Sequence, residues 1–261
     1  MTKFNLTLVQ KICLAGIFIP LVAIFQKVFA INYISIIPFV RVSFGGPALI
    51  IFASILLGPW FGLLVGAMSD IAGFFIFDPK MFGAMPFFQI TAIYALLGFS
   101  SYYVFALINK IKSKKIMTLI ELVTFVILLA TITIYINVND SITLYSSTYQ
   151  FTTLMRILVP IILFILLGLL FVTIIFIDKH FKKINEKTST YNVSFACFIL
   201  EVVVMVIFGS IMKAWAFSGT AFVPIFLCQL IVLFFNVPLN TFLVSYIMNL
   251  SKRIFKIKDN D

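Results

Sequence analysis

Long apolar runs broken by short polar or basic stretches make up this chain, and the lengths of the runs decide what they are. A helix of roughly 20 apolar residues spans the hydrocarbon core of a bilayer. Runs near that length extend from Leu8 to Phe29, Trp60 to Phe77, Phe87 to Ile108, Ile116 to Ile136, Thr152 to Ile177, Val193 to Ala214 and Phe222 to Asn249. The run from Phe44 to Leu57 is shorter, and Gly58-Pro59 turns the chain after it. With that run included, the pattern predicts an all-α polytopic membrane protein of about eight transmembrane helices. Asp78-Pro79 and the Gly83–Pro86 stretch mark a further turn, and Asn236-Val-Pro238 predicts a break or kink in the last helix. A signal peptide has a shorter apolar region and a small-residue cleavage site, so the first run reads as a span.

The third run carries a pattern finer than hydrophobicity. Gly62, Gly66, Asp70 and Gly73 stand at i, i+4, i+8 and i+11, one face of a helix. Glycines at this spacing let a neighbouring helix approach closely in lipid. Asp70 shares their face and points into the protein, since a carboxylate at membrane depth costs about 2.5–3.5 kcal/mol on insertion scales and needs a partner or a purpose.

Composition excludes a soluble domain. Of the 261 residues 62% are hydrophobic and 11% charged, against a charged share of about 25% in soluble domains. The 32 phenylalanines admit an aromatic ligand pocket, but the accompanying wealth of Ile, Asn and Lys fits a low-GC bacterial genome and lipid contact better. Cys13, Cys197 and Cys228 lie in apolar runs without paired spacing, and His180 is the sole histidine, so neither a disulfide framework nor a metal site is expected. The formal charge of +10 points to basic loops rather than to nucleic acid. Lys3 and Lys11, the Lys110–Lys115 loop, the Lys179–Lys187 loop and the Lys252–Lys258 tail hold most of the basic residues. The positive-inside rule then places all four, and both termini, in the cytoplasm, with the plasma membrane as the expected location.

No P-loop, His-Glu-x-x-His or Gly-x-Ser-x-Gly pattern occurs, so no catalytic residue and no enzyme activity are expected. The polar groups at membrane depth are Asp70, Gln89, Glu121, Arg156, Glu201, Lys213 and Gln229. Glu121 and Arg156 lie near helix ends and are expected at the interface. Lys213 either snorkels outward or meets an acidic ligand. Glu201 sits about 18 Å from it along a helix, too far to pair directly. Asp70 is read as a buried group that holds helices and outer loops together in preference to touching substrate, and Glu201 either as a structural hydrogen-bond partner or as part of a ligand site.

The run "RVSFGGPALIIFASILLGPWFGLLVGAMSDIAG" resembles the second and third helices of substrate-binding S subunits of energy-coupling-factor (ECF) vitamin transporters, with the folate-type branch closest. "FFQITAIYALLG" is similar to the next element of that family, and "FVPIFLCQLIVLFFNVPLNTFLVSYIMN" to its closing helix pair. The resemblance covers residues 9–109 and, more weakly, 193–250, while 116–178 read as an inserted helical hairpin on a six-helix core within one membrane domain. At two places the chain departs: the family's usual arginine aligns with Gln229, and its Asn-Thr-x-Trp element aligns loosely with Ser210 to Lys213. Both lie where ligand specificity would be read, which leaves open which vitamin is bound.

The resemblance implies a subunit that captures a folate-like or other vitamin from outside. Its implied partners are a transmembrane coupling protein and two ATPases, which hydrolyse the ATP, so this chain needs no cofactor. It implies that the loop bordered by Arg41 and Ser43 gates the ligand pocket, with Arg41 either pairing with a carboxylated ligand or resting at the interface. Gln89, Lys213 and Gln229 complete the candidate ligand contacts. Gly16 and Pro20, four apart on the first helix, correspond to the family's small-residue docking pair, an intramolecular packing groove being the other reading. The alternative function is an ion-coupled secondary transporter with Asp70 or Glu201 as relay.

Overall fold

The computed structural model describes residues 6–31, 37, 40, 42–77, 87–111, 113–144, 147–180, 190–217 and 221–254. In chain order the elements are α1 (Leu8–Lys27), β1 (Ala30–Ile31), β2 (Val42–Ser43), α2 (Gly46–Leu57), α3 (Pro59–Phe77) and α4 (Phe88–Ile108). They continue with α5 (Lys114–Val138), β3 (Ser141–Leu144), β4 (Ser147–Gln150), α6 (Thr153–His180), α7 (Thr190–Leu200), a π-helical segment (Glu201–Phe208), α8 (Gly209–Ala216) and α9 (Phe222–Ile254). Arg41, expected beside the ligand, lies outside the described residues.

Seven of these rods are long and apolar enough to cross a membrane, with α7, the π segment and α8 forming one continuous rod, Thr190–Ala216. The helix expected as an eighth pass, α2, is shorter than these seven. Its 12 residues rise only about 18 Å, short of a hydrocarbon core of roughly 30 Å. Every residue of α2 is buried, because α1, α3, α4 and α9 all pack against it. Glycine sets both ends: Gly45 and Gly58 adopt φ of 78° and 101°, left-handed conformations that side chains with a Cβ disfavour. Pro47, in the first turn, lacks only an N–H that the helix start leaves unused anyway.

The glycine ladder of α3 meets α4 antiparallel. A Cβ on Gly66 would strike the Tyr94 carbonyl, with its carbon 2.7 Å away, and one on Gly62 would stand 2.5 Å from the Gly98 carbonyl oxygen. Gly98 in turn has no room for a Cβ against the Gly62 carbonyl. One turn further the contact becomes polar, as the Thr91 hydroxyl donates to Asp70 Oδ2 at 2.7 Å. Gly73 does something different. Its bare backbone faces the stem of Lys27 and Ala23 of α1, with Lys27 Cγ at 3.2 Å from where a Cβ would be.

The segment expected as an inserted hairpin is α5 and α6, joined by the antiparallel strands β3 and β4. These pair Ser141 with Gln150 and Leu144 with Ser147. The hairpin is packed into the bundle: α6 lies on α9, and the Phe125 ring of α5 sits 5.2 Å from Phe198 of α7 and 4.9 Å from Phe234 of α9. Arg156 fastens its base, pairing with Asp140 at 2.8 Å and donating to the Asn139 carbonyl at 3.3 Å. Arg156 thus sits at a helix end, as expected. Glu121 does not: it is 2% exposed and accepts from Ser194 Oγ at 2.8 Å. α5 begins at Lys114, which puts Glu121 about two turns inside the helix.

Of the break or kink expected at Pro238 the break does not occur, since α9 runs through it. On α1, Gly16 and Pro20 are exposed and nothing lies within 4 Å of a Cβ built on Gly16. Among the described residues nothing forms an intramolecular groove there; this face points away from the described bundle, while Ala15, Val22, Ala23 and Gln26 point into it.

Candidate functional site

A cavity of about 580 Å³ opens where the ends of most helices gather. The last turn of α1 supplies Gln26 and Lys27, and β2 supplies Ser43. Asp70 and Phe74 come from the end of α3, Ile90 and Tyr94 from the start of α4, and Leu144 from the tip of β3. The rod of α7 and α8 adds Met205 and Lys213; α9 adds Cys228, Gln229 and Asn236. The volume lies within the range of about 300–1,000 Å³ typical of small-molecule sites.

Local structure explains why these side chains converge. Gly73 lets the Lys27 stem pass over α3, so that the lysine reaches the cavity from α1. The Thr91 hydroxyl fixes Asp70 from the side. Phe87 and Phe88, at the start of α4, pack on Phe217 and Trp215 at ring-centre distances of 5.1 and 5.2 Å, which ties α4 to the end of α8 and carries Lys213 with it. Aromatic walls from Phe74, Tyr94 and Phe217 alternate with the polar groups. Lys27 and Lys213 oppose a single carboxylate, Asp70, so with all three ionised the described lining is net cationic. The arrangement suits a small ligand with a flat or apolar body and an anionic end.

Of the residues singled out from sequence, Ser43, Asp70, Lys213 and Gln229 meet at this cavity. Gln89 is buried but is not among the lining residues. It lies two residues before Thr91 on α4, and thus on another face of the helix from Ile90 and Tyr94. Glu201 lies below the floor, one turn before Met205, where it accepts from Asn240 Nδ2 at 2.6 Å. Lys27, Gln26, Asn236 and Leu144 were not foreseen as lining residues. For Asn236 a signal existed: it falls seven residues after Gln229, two turns on, within an otherwise apolar run. Leu144 had none, because nothing local says that a hairpin tip folds over a cavity formed by other helices.

Among the described residues no group of three or more His, Cys, Asp or Glu side chains is placed to hold a metal ion. Compared with protein-family models, curated proteins and solved structures, the chain matches none.

Proposed function

We propose that this membrane protein is a substrate-capture subunit resembling the S components of ECF-type importers, binding a vitamin-like small molecule in the cavity between α1, α3, α4, α8 and α9. The observation that carries the reading is the cavity itself. It is ligand-sized, polar and aromatic in lining, and built in part from the "RVSFGG…GAMSDIAG" stretch on which the resemblance rests. With both termini cytoplasmic, as the basic loops indicate, the cavity opens outward and Leu144 of the β3–β4 hairpin stands at its mouth. The ligand class is a folate-like or other vitamin with an anionic group set toward Lys27 and Lys213. Partner ATPases and a coupling protein would supply the energy, and the outward face of α1 around Gly16 and Pro20 is the proposed coupling surface.

Purification in mild detergent without added vitamin, followed by denaturation and mass spectrometry of released small molecules, tests the capture role. A stoichiometric vitamin lost in the Lys213→Ala variant supports it. An empty protein, together with no coupling protein or ATPase recovered from the native host, overturns it. A second reading, an ion-coupled secondary transporter, draws on the buried carboxylates Glu121 and Glu201. It predicts gradient-driven uptake by the purified chain alone in liposomes.

A further inference from the structure

Below the cavity floor the bundle holds a seam of buried polar groups that the capture role does not use. Along α7 and into the π-helical segment, Thr190, Ser194, Cys197 and Glu201 recur at i, i+4, i+7 and i+11, one helical face. Each is at most 1% exposed. The stripe runs roughly 16 Å along the helix axis and leads to Met205, which lines the cavity. The facing helix α9 carries Asn236, Asn240, Thr241, Ser245 and Asn249, each 3% exposed or less. Asn236 belongs to both structures, since it lines the cavity and turns its amide toward Glu201.

Three features set this seam apart from ordinary helix packing. Among the described residues the hydrogen bonds to its carboxylates come from neutral groups, Asn240 to Glu201 and Ser194 to Glu121. An intramembrane carboxylate is costly and marks proton relays and ion pathways elsewhere. Hydrogen-bonding capacity is also left over along the seam: Asn236 Oδ1, Ser245 Oγ and Thr190 Oγ1 have no partner among the described residues. Buried polar atoms are almost always satisfied, and water is the usual partner where protein offers none. Glu201 is moreover the first residue of the π-helical segment. Such stretches loosen regular packing and occur frequently at functional sites.

We propose that Glu201 and Glu121 form a proton-binding pair reached from the cavity through this seam. A proton arrives from water at Asn236 and converts the Glu201 carboxylate to the neutral acid; the reverse step returns it to water. Ser194 lies seven residues from Glu201 on α7, roughly 10 Å along the axis, too far for one hop. The interval is filled by Cys197, which lies within electrostatic reach of both carboxylates, and by the neighbouring Thr241 hydroxyl. Lys213, toward the cavity, is the charged group that acts on Glu201. The facing α9 adds only amides, hydroxyls and the Cys228 thiol, and α4 adds Tyr94. A ligand in the cavity covers Asn236, so occupancy and proton exchange are coupled.

Infrared difference spectroscopy on the full chain in lipid vesicles, with no ligand, tests this by stepping the pH and replacing H₂O with D₂O. The expected result is two carboxylic-acid carbonyl bands that titrate and shift on deuteration, one missing in Glu201→Gln and the other in Glu121→Gln. Asn236→Leu should slow deuteration of the Glu201 band several-fold. Wild-type bands that neither titrate nor exchange overturn the proposal, whether or not the variants fold, and so does unchanged exchange in a folded Asn236→Leu. Ligand release by denaturation is read separately, so a sealed carboxyl pair would leave the capture role standing.

Discussion

The α3–α4 interface and the α7–α9 interface answer the same problem, two helices meeting inside a bilayer, in opposite ways. Between α3 and α4 the glycines bring backbone against backbone, Gly62 on Gly98 and Gly66 on Tyr94. The one buried acid there is bonded by Thr91. Between α7 and α9 the helices present amides, hydroxyls and a carboxylate, and several of those atoms are unsatisfied. Without a hydrophobic drive between helices in lipid, close van der Waals packing is what holds a pair together. The first interface has the geometry of a fixed scaffold. The second keeps polar atoms without a partner among the described residues, the capacity that the proposed proton pathway uses.

The sharpest way to break this contrast is to thicken the ladder. Gly66→Val places a branched side chain against the Tyr94 carbonyl and the Ala95 nitrogen, 3.2 Å from the first added carbon. Backbone cannot move aside as a side-chain tip can, so the cost exceeds the roughly 1–3 kcal/mol usual for overpacking. Loss of the monodisperse peak in detergent size-exclusion, or a large fall in Tm, is expected. A variant with wild-type Tm would show that α3 and α4 are less closely apposed than described.

Two hydroxyl deletions sharpen the comparison at smaller scale. Thr91→Val removes one donor to Asp70, and a buried carboxylate that loses one hydrogen bond costs about 1–3 kcal/mol. Ser245→Ala removes a hydroxyl whose oxygen has no partner among the described residues, so stability should change by less than about 0.5 kcal/mol. Thermal melts of the two variants in one detergent measure the difference. Equal losses would mean that the seam hydroxyl is as firmly bonded as the ladder's.

These two interfaces were unequally legible in the sequence. The ladder could be read directly, because glycine and aspartate at i, i+4, i+8 and i+11 have one physical reading in an apolar helix. Even there Gly73 was read as backbone packing, whereas it makes room for the Lys27 stem. The seam was legible only as separate polar residues. Glu121 was expected near the interface because its helix was started at Ile116, and nothing local reveals that Ser194, far along the chain, lies beside it. The strands β3 and β4 fall between the apolar runs Ile116 to Ile136 and Thr152 to Ile177, in a stretch for which the sequence pattern predicts no element. Yet Ile142 and Leu144 are buried and Thr143 between them is exposed, a period of two in a segment too short to stand out.

The smallest expected effect belongs to Gly16→Leu, and its value lies in being null. A Cβ there meets nothing within 4 Å and the residue is exposed, so the added side chain should leave Tm within error of wild type. If the outward face of α1 docks a coupling subunit, the same substitution fills the shallow surface beside Pro20 that a partner helix would occupy. The expected outcome is therefore a split: an unchanged melt, but reduced recovery of partner subunits in a mild-detergent pulldown from the native host. An unchanged melt with full recovery would move the docking surface off α1. A lowered Tm would mean that this face packs within the molecule after all, and that the bundle has a third kind of interface beside the ladder and the seam.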